Sequence, residues 1–480
     1  MLNKILNNLK NYPDDECYQI KDKIYKNKDL YKYTCNIYSY LIKNYKHQDR
    51  IIVYGHKEIY MIASFLACSF AGMTYIPIDI SIPEERKNNI IKQLKPQYII
   101  DKNIEKIMNN DIFEEIKNIY LQPDDIYYII FTSGSTGESK GVQITYKNLM
   151  SCMKWLTKIC HIYKDVVLNQ ANYSFDLSVA DIYLSLLTRS KHYIIEKEMQ
   201  KDFSFLFKEL ENSKSSFAVM TPSFADLLLI DKSFNDSLMP DLRKILFCGE
   251  RLTEKTVIKL YERFDKLQII NSYGPTECTF AVTSTPIKLN EEISIGIPKY
   301  DVQIYIVNDK LEIMPDGEIG EILIVGDSVG KGYLKEELNE NVFILFNEKQ
   351  AYRTGDLGYK KNNNFFYVSR KDRQIKYKGY RIELLEIENV LNSMEYIEKA
   401  IVTVLKNSES VINRIIAFVK LNDDSYKATD IKKDLKNILP DYMIPNIKII
   451  NEIPLNDNGK ADEKALLGDE YERKNNWYNY

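Results

Sequence analysis

The chain has 480 residues. Single domains usually contain about 100–200 residues, so we expect two or more domains. Hydrophobic residues make up 45% and charged residues 28%, which is typical of a globular protein and leaves enough apolar residues for several packed cores. The 65 Lys and Arg nearly balance the 68 Asp and Glu, giving a net charge of −3. Because nucleic-acid-binding proteins carry a basic surplus, we expect no nucleic-acid partner.

Cysteine spacing and hydropathy indicate where the protein resides. The 7 cysteines are scattered and none forms a C-x-x-C pair, which favours reduced thiols in the cytoplasm over a disulfide framework or a zinc site. The uncharged stretch 61–78 has the length of a membrane span, but Gly72 and Pro77 interrupt it. We predict a buried helix that ends near Gly72, followed by a strand, and no membrane insertion.

The first part of the chain alternates helical patterns with short apolar strands. An amphipathic helix is predicted over Met1–Tyr12, and helices over Glu58–Ala71 and Pro83–Leu94. The predicted strands are Ile51–Tyr54, Thr74–Ile78, Tyr98–Ile100 and Tyr127–Thr132, and a second such stretch contains Phe217–Met220, Lys244–Phe247 and Gln268–Asn271. This alternation predicts an α/β fold with two subdomains built on mostly parallel sheets.

The pattern changes after about residue 295. Strands predicted at Val302–Val307, Gly320–Val325 and Phe365–Val368 are separated by turn residues, which indicates a distorted antiparallel barrel. The charged segment Lys371-Asp372-Arg373 is a candidate linker, and the remaining length suits a small α+β domain. We therefore predict an N-terminal domain over residues 1–370 and a C-terminal domain over residues 371–480, joined by a hinge.

A loop rich in glycine and hydroxyl groups follows the strand that ends at Thr132. It reads Thr132-Ser133-Gly134-Ser135-Thr136-Gly137 and is followed by Lys140. Backbone amides, hydroxyls and a lysine in this arrangement bind phosphate oxygens. It is not a Walker A loop, because Gly141 stands where that motif has Ser or Thr. The alternative is a flexible surface turn.

A second segment, Asn271-Ser272-Tyr273-Gly274-Pro275-Thr276-Glu277, follows another predicted strand. The carboxyl ends of strands are where open α/β sheets bind ligands. An aromatic ring, a hydroxyl and a carboxylate at such a place can stack on a base, contact phosphate and hold Mg²⁺.

With these two segments, five further motifs occur in a fixed order. They are Phe247-Cys248-Gly249-Glu250, Tyr352-Arg353-Thr354-Gly355-Asp356, the stretch 369–376, Gly379-Tyr380-Arg381-Ile382-Glu383 and Asn458-Gly459-Lys460. The set resembles the adenylate-forming superfamily of acyl-CoA synthetases, luciferases and peptide synthetase adenylation domains. The resemblance covers roughly residues 125–465.

The resemblance implies a role for each nucleotide-site motif. Thr132 and Ser133 would hold the phosphates of ATP, and Asp356 would accept hydrogen bonds from the ribose hydroxyls. Tyr367 and Arg370 would close over the nucleotide. The residues implied around the adenine and the α-phosphate are Asn271, Ser272, Tyr273, Gly274, Pro275 and Thr276.

The resemblance also implies a metal ligand, a catalytic residue and a hinge. Glu277 would bind Mg²⁺, Lys460 would bridge the substrate carboxylate and the α-phosphate, and Asp372 would lie at the hinge between half-reactions. The alternative for Glu277 is a helix-start carboxylate, and Lys460 taken alone is a turn lysine.

Asp176 bears on the choice of substrate. In amino-acid-activating members an Asp at this position pairs with the substrate ammonium, and a buried carboxylate is costly without such a cation. Asp176 also precedes a predicted helix, so a capping role is the alternative.

Further motifs are similar to the D-alanine–D-alanyl carrier protein ligases. They include Asn169-Gln170-Ala171, the stretch 175–179 and Cys248, which narrows the pocket as a small substrate requires. Two positions depart from those ligases, which typically have Met where Ala180 stands and Val where Phe280 stands. The departures leave open another small amino acid, or L-alanine.

The resemblance implies an AMP-forming ligase that uses ATP and Mg²⁺. It would activate a small amino acid, with D-alanine as the expected substrate, and transfer it to the phosphopantetheine thiol of a carrier protein. This transfer would be a step in teichoic acid modification. We expect the carrier to be a separate protein, because only a short tail follows Lys460. The alternatives are an adenylation enzyme for another amino acid, an acyl-CoA synthetase, which Asp176 disfavours, and a nucleotide-binding regulator without catalysis.

Overall fold

The computed structural model describes residues 1–111, 113–134, 139–407, 411–423, 425–454, 462–463 and 465–468. The chain divides into two compact units. The first comprises Met1–Ile80, Leu94–Phe131 and Lys140–Asp372, and the second comprises Ser81–Gln93, Thr132–Ser139 and Arg373–Tyr480. The domain boundary at residue 370 stays a prediction.

A nine-stranded sheet forms much of the first unit. Its strands, in spatial order, are Ile297–Pro298, Thr283–Pro286, Gln268–Tyr273, Lys244–Phe247, Phe217–Met220, Val166–Asn169, Lys191–Ile194, Glu16–Ile20 and Lys23–Lys26. From Gln268–Tyr273 to Glu16–Ile20 all neighbours are parallel. The carboxyl ends of these strands therefore share one edge, which is where an α/β sheet binds ligands.

A six-stranded sheet forms another layer of the first unit. Its order is Gly332–Tyr333, Lys140–Thr145, Ile126–Thr132, Thr74–Asp79, Arg50–Gly55 and Tyr98–Ile100. The helix Ile59–Phe70 is buried at every position, which confirms the buried helix predicted before Gly72. Within the described ranges no helix has both the length and the apolarity needed to cross a bilayer.

Helices cover the sheets of the first unit because their apolar residues recur on one face. They are Leu2–Asn11, Asn27–Asn44, Ile59–Phe70, Glu105–Met108, Tyr146–Cys160, Leu177–Thr188, Phe203–Ser213, Pro222–Leu228 and Glu254–Arg263. A further helix is Glu84–Leu94, and single 3₁₀ turns occur at Lys102–Ile104, Met199–Lys201, Thr276–Cys278, Glu336–Leu338 and Asp441–Met443.

Tyrosine side chains form an unusual part of this core. Tyr75, Tyr127, Tyr128 and Tyr183 are all buried. The ring of Tyr127 lies 5.6 Å from those of Tyr75 and Tyr183 between centroids, and 6.1 Å from that of Tyr128. The hydroxyls of Tyr75 and Tyr183 are hydrogen-bonded at 3.0 Å. We call these four residues the tyrosine cluster.

An antiparallel sheet completes the first unit. Val302–Val307, Gly320–Gly326, Lys349–Lys361 and Phe343–Phe346 are neighbours in that order, and Asn364–Arg370 pairs with Lys349–Lys361. Every pairing is antiparallel, which confirms the predicted change of architecture. The pairing places Asp356 opposite Arg370.

The second unit has its own α+β core. A hairpin of Gln374–Tyr377 and Tyr380–Glu383 precedes a three-stranded sheet of Ile397–Lys406, Ile412–Leu421 and Asn446–Ile449. Helices Leu384–Asn392 and Ala428–Ile438 accompany this sheet. Ile387, Val402, Ala417 and Ile431 are buried in its hydrophobic core.

Candidate active site

Two polar residues of the Asn271–Glu277 segment are fixed at the carboxyl edge of the nine-stranded sheet. The Asn271 amide donates to the Ser294 carbonyl oxygen at 2.8 Å, and the Ser272 hydroxyl donates to the Phe247 carbonyl oxygen at 2.7 Å. Both residues are buried. Their side chains therefore hold the end of the strand in place, while their contacts with adenine stay a prediction.

The Gly274-Pro275 turn packs against the backbone around residue 280. A Cβ on Gly274 would lie 2.6 Å from the Ala281 Cα and 2.7 Å from the Phe280 carbonyl oxygen. Only glycine fits such an approach. The turn leads into the 3₁₀ helix Thr276–Cys278, which carries Glu277.

Glu277 is completely buried. Its Oε1 accepts a hydrogen bond of 2.6 Å from the Tyr333 hydroxyl, and its carbonyl oxygen accepts one of 2.8 Å from the Gly330 amide. The contact with Tyr333 was not predicted from the sequence, because no local motif surrounds this residue. These contacts fix the carboxylate that is predicted to bind Mg²⁺.

The structure brings together three predicted nucleotide-site residues. Asp356 is 1% exposed. Its Oδ2 accepts from the Tyr273 hydroxyl at 2.6 Å, and its Oδ1 accepts from Arg370 Nη1 at 2.6 Å. Burial, and next the charge of Asp356, raises the pKa of Tyr273 well above its ordinary value, so Tyr273 stays a donor. Hydrogen-bond donors thus hold both carboxylate oxygens in a fixed orientation.

Arg370 connects Asp356 to the predicted hinge residue. Its Nε and Nη2 donate to Oδ1 and Oδ2 of Asp372, each at 2.7 Å. Gly355 has a φ of +69°, and a Cβ there would lie 2.9 Å from Arg370 Nη2. The position therefore needs glycine for its backbone and for the space it leaves to the guanidinium. Burial, and then Asp356, raises the pKa of the nearby Tyr367 above its ordinary value.

A buried carboxylate supports the irregular part of the strand Lys349–Lys361 that carries Asp356. Glu321 Oε2 accepts from Arg353 Nη2 at 2.7 Å and from Lys371 Nζ at 3.1 Å, while its Oε1 accepts from the Gly355 amide at 3.1 Å. Burial acts to raise the pKa of Glu321, but the hydrogen bonds from Arg353 and Gly355 hold it below its ordinary value. Glu321 was not predicted from the sequence, because it lies on a neighbouring strand.

Asp176 precedes the helix Leu177–Thr188 but its side chain makes no capping hydrogen bond. The structure therefore does not support the alternative that Asp176 caps this helix. The carboxylate lies close enough to Tyr128 to contribute to that residue's raised pKa, after burial and Tyr75.

Cys248 and Phe280, the two residues predicted to shape the substrate pocket, are neighbours. The Cys248 thiol donates to the Phe280 carbonyl oxygen at 3.8 Å, and both residues are buried. Phe280 has a φ of +75°, which is rare for a bulky residue and indicates a backbone fixed by its surroundings. Ala180 is also buried, on the helix that follows Asp176.

The predicted phosphate loop lies partly within the described residues. Thr132 ends its strand, and its Oγ1 is buried without a hydrogen-bond partner in the described part of the chain. Within the second unit, the Ser133 hydroxyl donates to the Arg381 carbonyl oxygen at 2.6 Å. Ser135, Thr136 and Gly137 lie outside the described residues, and so does Lys460, the predicted catalytic lysine.

Comparisons with known proteins identify the family of this chain. The family model for AMP-binding enzymes matches residues 6–334, and that for the AMP-binding enzyme C-terminal domain matches residues 386–460. The chain belongs to the AMP-binding enzyme family.

Curated relatives narrow the comparison. The chain is 41% identical over 443 residues to the D-alanine–D-alanyl carrier protein ligase of Bacillus licheniformis, which covers 87% of this chain and 88% of that one. It is 41% identical over 451 residues to the ligase of the same description from Bacillus mycoides, covering 87% and 89%.

Solved structures show the same fold. A Vibrio cholerae adenylation domain in complex with glycyl-adenosine-5'-phosphate superposes with a TM-score of 0.86 at 21% identity, covering 98% of this chain and 97% of that chain. An artificially fused adenylation–PCP di-domain from Klebsiella oxytoca gives a TM-score of 0.81 at 20% identity, covering 94% and 93%. The predicted α/β fold class and family are confirmed.

Proposed function

We propose that this chain is an AMP-forming ligase for D-alanine and a separate carrier protein. With ATP, D-alanine becomes D-alanyl-adenylate and pyrophosphate is released. The D-alanyl group then passes to the phosphopantetheine thiol of the carrier, and AMP leaves. The observation that carries the proposal is the 41% identity to Bacillus ligases of this description over 87% of the chain.

The nucleotide half of the proposal is supported by the buried contacts of Asp356. With one donor on each oxygen, from Tyr273 and Arg370, its carboxylate is oriented before a nucleotide binds. A carboxylate oxygen has capacity for a further hydrogen bond, which a ribose hydroxyl supplies. Such preorganisation lowers the cost of ordering the site during the reaction.

The amino-acid half depends on Asp176, Cys248 and Phe280. The carboxylate of Asp176 makes no capping hydrogen bond and pairs with the substrate ammonium in this proposal. In this proposal the buried side chains of Cys248 and Phe280 bound a pocket that is small enough to select a methyl side chain. One methylene more or less on the substrate changes its interaction free energy with a hydrophobic pocket by about 1–3 kcal/mol. Such a pocket therefore discriminates against larger amino acids.

The chemistry of adenylation is positioning and electrostatic stabilisation. An oxygen of the D-alanine carboxylate attacks the α-phosphorus, and the bond to pyrophosphate breaks. Lys460 stabilises the negative charge on the reacting oxygens. The thiolate of the carrier then attacks the acyl carbon, and AMP leaves with the electrons of the acyl–oxygen bond. Rotation of residues 371–480 about Asp372 separates the two half-reactions.

Glu277 is the residue that would hold Mg²⁺. Mg²⁺ is usually bound by one or two carboxylates together with substrate phosphates. The buried, oriented carboxylate of Glu277 fits that donor set, and within the described residues there is no cluster of three or more His, Cys, Asp or Glu that would form a protein cage. When bound, the ion neutralises charge on the phosphates of ATP.

The proposal includes a location for the enzyme and a final acceptor for the D-alanyl group. We place the enzyme in the cytoplasm, where ATP is available and where its 7 cysteines remain reduced. The acceptor of the D-alanyl group downstream of the carrier is a cell-wall polymer of the teichoic acid class.

ATP–pyrophosphate exchange tests the adenylation step. The panel contains D-alanine, L-alanine, glycine, D- and L-serine, and propionate, which is alanine without its amine. We expect the highest kcat/KM with D-alanine. A maximum with another amino acid would move the protein to a different pathway, and a maximum with propionate would favour an acyl-CoA synthetase.

Transfer is tested with radiolabelled D-alanine and a D-alanyl carrier protein from a Bacillus relative. The matched control is the same carrier without its phosphopantetheine group, and free coenzyme A is the competing acceptor. We expect label only on the carrier that has its phosphopantetheine group. Label transferred equally to coenzyme A would contradict a carrier-specific ligase.

A further inference from the structure

A buried lysine that the proposed chemistry does not use lies close to the substrate segment. Lys57 is in the connection between the strand Arg50–Gly55 and the helix Ile59–Phe70, and it is 1% exposed. Its Nζ donates to the Gln170 carbonyl oxygen at 2.9 Å and to the Ile195 carbonyl oxygen at 2.7 Å. A fully buried lysine is rare unless it is paired, so its position calls for an explanation.

The two carbonyl groups mark the ends of neighbouring strands. Gln170 directly follows Val166–Asn169, and Ile195 directly follows Lys191–Ile194. Lys57 itself belongs to a connection of the six-stranded sheet. One side chain therefore joins the two sheets at the carboxyl edge of the nine-stranded sheet, the edge that carries the candidate active site.

A buried carboxylate accompanies the lysine. Asp181 is completely buried, and its Oδ2 accepts from the Asn169 amide at 2.8 Å. Its Oδ1 has no hydrogen-bond partner among the described residues. Burial lowers the pKa of Lys57 to about 7, against the opposing effect of Asp181, and burial raises the pKa of Asp181. The lysine donates hydrogen bonds in either protonation state, because the neutral amine retains two N–H groups.

These contacts lie on both sides of Asp176 in the chain. Gln170 begins the connection that leads to Asp176, and Asp181 lies in the first turns of the helix Leu177–Thr188 that follows it. We propose that Lys57, together with Asp181, is a positioning residue that holds the Gln170–Asp176 segment in the conformation that binds the amino-acid substrate. The proposal rests on the proposed function, since it takes Asp176 as the partner of the substrate ammonium.

The proposal makes a kinetic distinction. If the segment is released, only a fraction of the molecules presents Asp176 correctly, and the apparent affinity for the amino acid falls by that fraction. The contacts of Asp356 with Tyr273 and Arg370 do not involve the segment. The KM for D-alanine should therefore change while the KM for ATP does not.

The test compares Lys57→Met, the double variant Lys57→Met/Asp181→Asn and the control Asp165→Asn by ATP–pyrophosphate exchange and thermal unfolding. The double variant leaves no buried carboxylate without a cation. Asp165 is buried beside the opposite end of the strand Val166–Asn169, where its Oδ1 pairs with Arg243. It therefore matches Lys57 in burial without contacting the substrate segment.

We expect Lys57→Met to raise the KM for D-alanine about 5- to 20-fold and to leave the KM for ATP within twofold. The double variant should recover thermal stability but keep the raised KM for D-alanine, because the Gln170 carbonyl still lacks its donor. The control should lose stability with an unchanged KM for D-alanine.

A KM for D-alanine within twofold of the wild type in the double variant would overturn the proposal. So would an equal rise in both KM values, or failure of both Lys57 variants to fold, which would assign the lysine to folding alone. These outcomes differ from failure of the proposed function. In that case the wild-type enzyme itself shows no exchange with D-alanine. The KM of each variant is then compared with that of the wild type for the amino acid that the enzyme does use.

Discussion

Replacing Asp176 by Asn tests the basis of amino-acid recognition. The substitution keeps the shape of the side chain and removes its charge. Asp176 makes no capping hydrogen bond, so the helix Leu177–Thr188 should start as before. The substitution therefore removes the charge that is proposed to meet the substrate ammonium without removing a helix cap.

The size of the effect follows from the interaction that is lost. A hydrogen bond between charged groups contributes about 1.5–3 kcal/mol. Since 1.4 kcal/mol corresponds to a factor of ten, kcat/KM for D-alanine should fall about 10- to 150-fold. Because Asp176 is only partly buried, we expect a value in the lower half of that range.

The assay is ATP–pyrophosphate exchange with D-alanine and with propionate, for the wild type and for Asp176→Asn. Propionate lacks the ammonium, so its kcat/KM should change less than threefold. The ratio of the two substrates isolates the charge interaction, as in a double-mutant cycle. An equal loss with both substrates would refute the reasoning and assign Asp176 a structural role.

Three further predictions concern other parts of the molecule. Asp356→Asn removes a buried carboxylate that accepts from Tyr273 and Arg370, and we expect the KM for ATP in the exchange assay to rise at least about tenfold while that for D-alanine stays within threefold. Lys460→Ala should reduce exchange by at least about 100-fold, with ATP affinity by calorimetry largely intact. Burial, and next the charge of Lys57, lowers the pKa of His192 to about 3, below its ordinary value of 6.5. As the pH falls below about 6.5, the unfolded state therefore binds a proton at this histidine and the native state does not. The free energy of unfolding then falls by up to about 1.4 kcal/mol per pH unit. The urea midpoint of His192→Gln should therefore depend less on pH between about 6.5 and 4.5 than that of the wild type.

Each of these predictions has an outcome that contradicts it. A rise in both KM values for Asp356→Asn would indicate a general loss of structure. Exchange within tenfold of the wild type in Lys460→Ala would exclude its catalytic role. For His192→Gln, a slope of urea midpoint against pH equal to that of the wild type would show that the acid sensitivity arises elsewhere.

The central strands of the fold could be predicted from the sequence because both of their faces are buried. Phe217–Met220 and Lys244–Phe247 have the bounds that their apolar runs indicated. The hairpin Glu16–Ile20 and Lys23–Lys26 was not predicted. It is rich in polar residues, and its pairing with Lys191–Ile194, far along the chain, decides its structure.

The candidate site also contains residues that could be predicted from the sequence and residues that could not. Tyr273, Asp356 and Arg370 could be proposed because each lies in a motif with a local pattern. Tyr333 and Lys57 carry no such pattern. Tyr333 contacts a residue 56 positions away, and Lys57 contacts Gln170 at a separation of 113 positions. Their roles become visible only when the fold brings distant segments together.

The tyrosine cluster sets an alkaline limit for this enzyme. Burial raises the pKa of Tyr75, Tyr127, Tyr128 and Tyr183 above the ordinary value near 10, so these hydroxyls ionise only when the chain unfolds. Above about pH 10 the four together favour the unfolded state by about 5 kcal/mol per pH unit. The free energy of unfolding of a typical domain is only about 5–15 kcal/mol. An alkaline solution should therefore unfold the first unit over a narrow pH range, and the absorbance of tyrosinate should appear in the same transition.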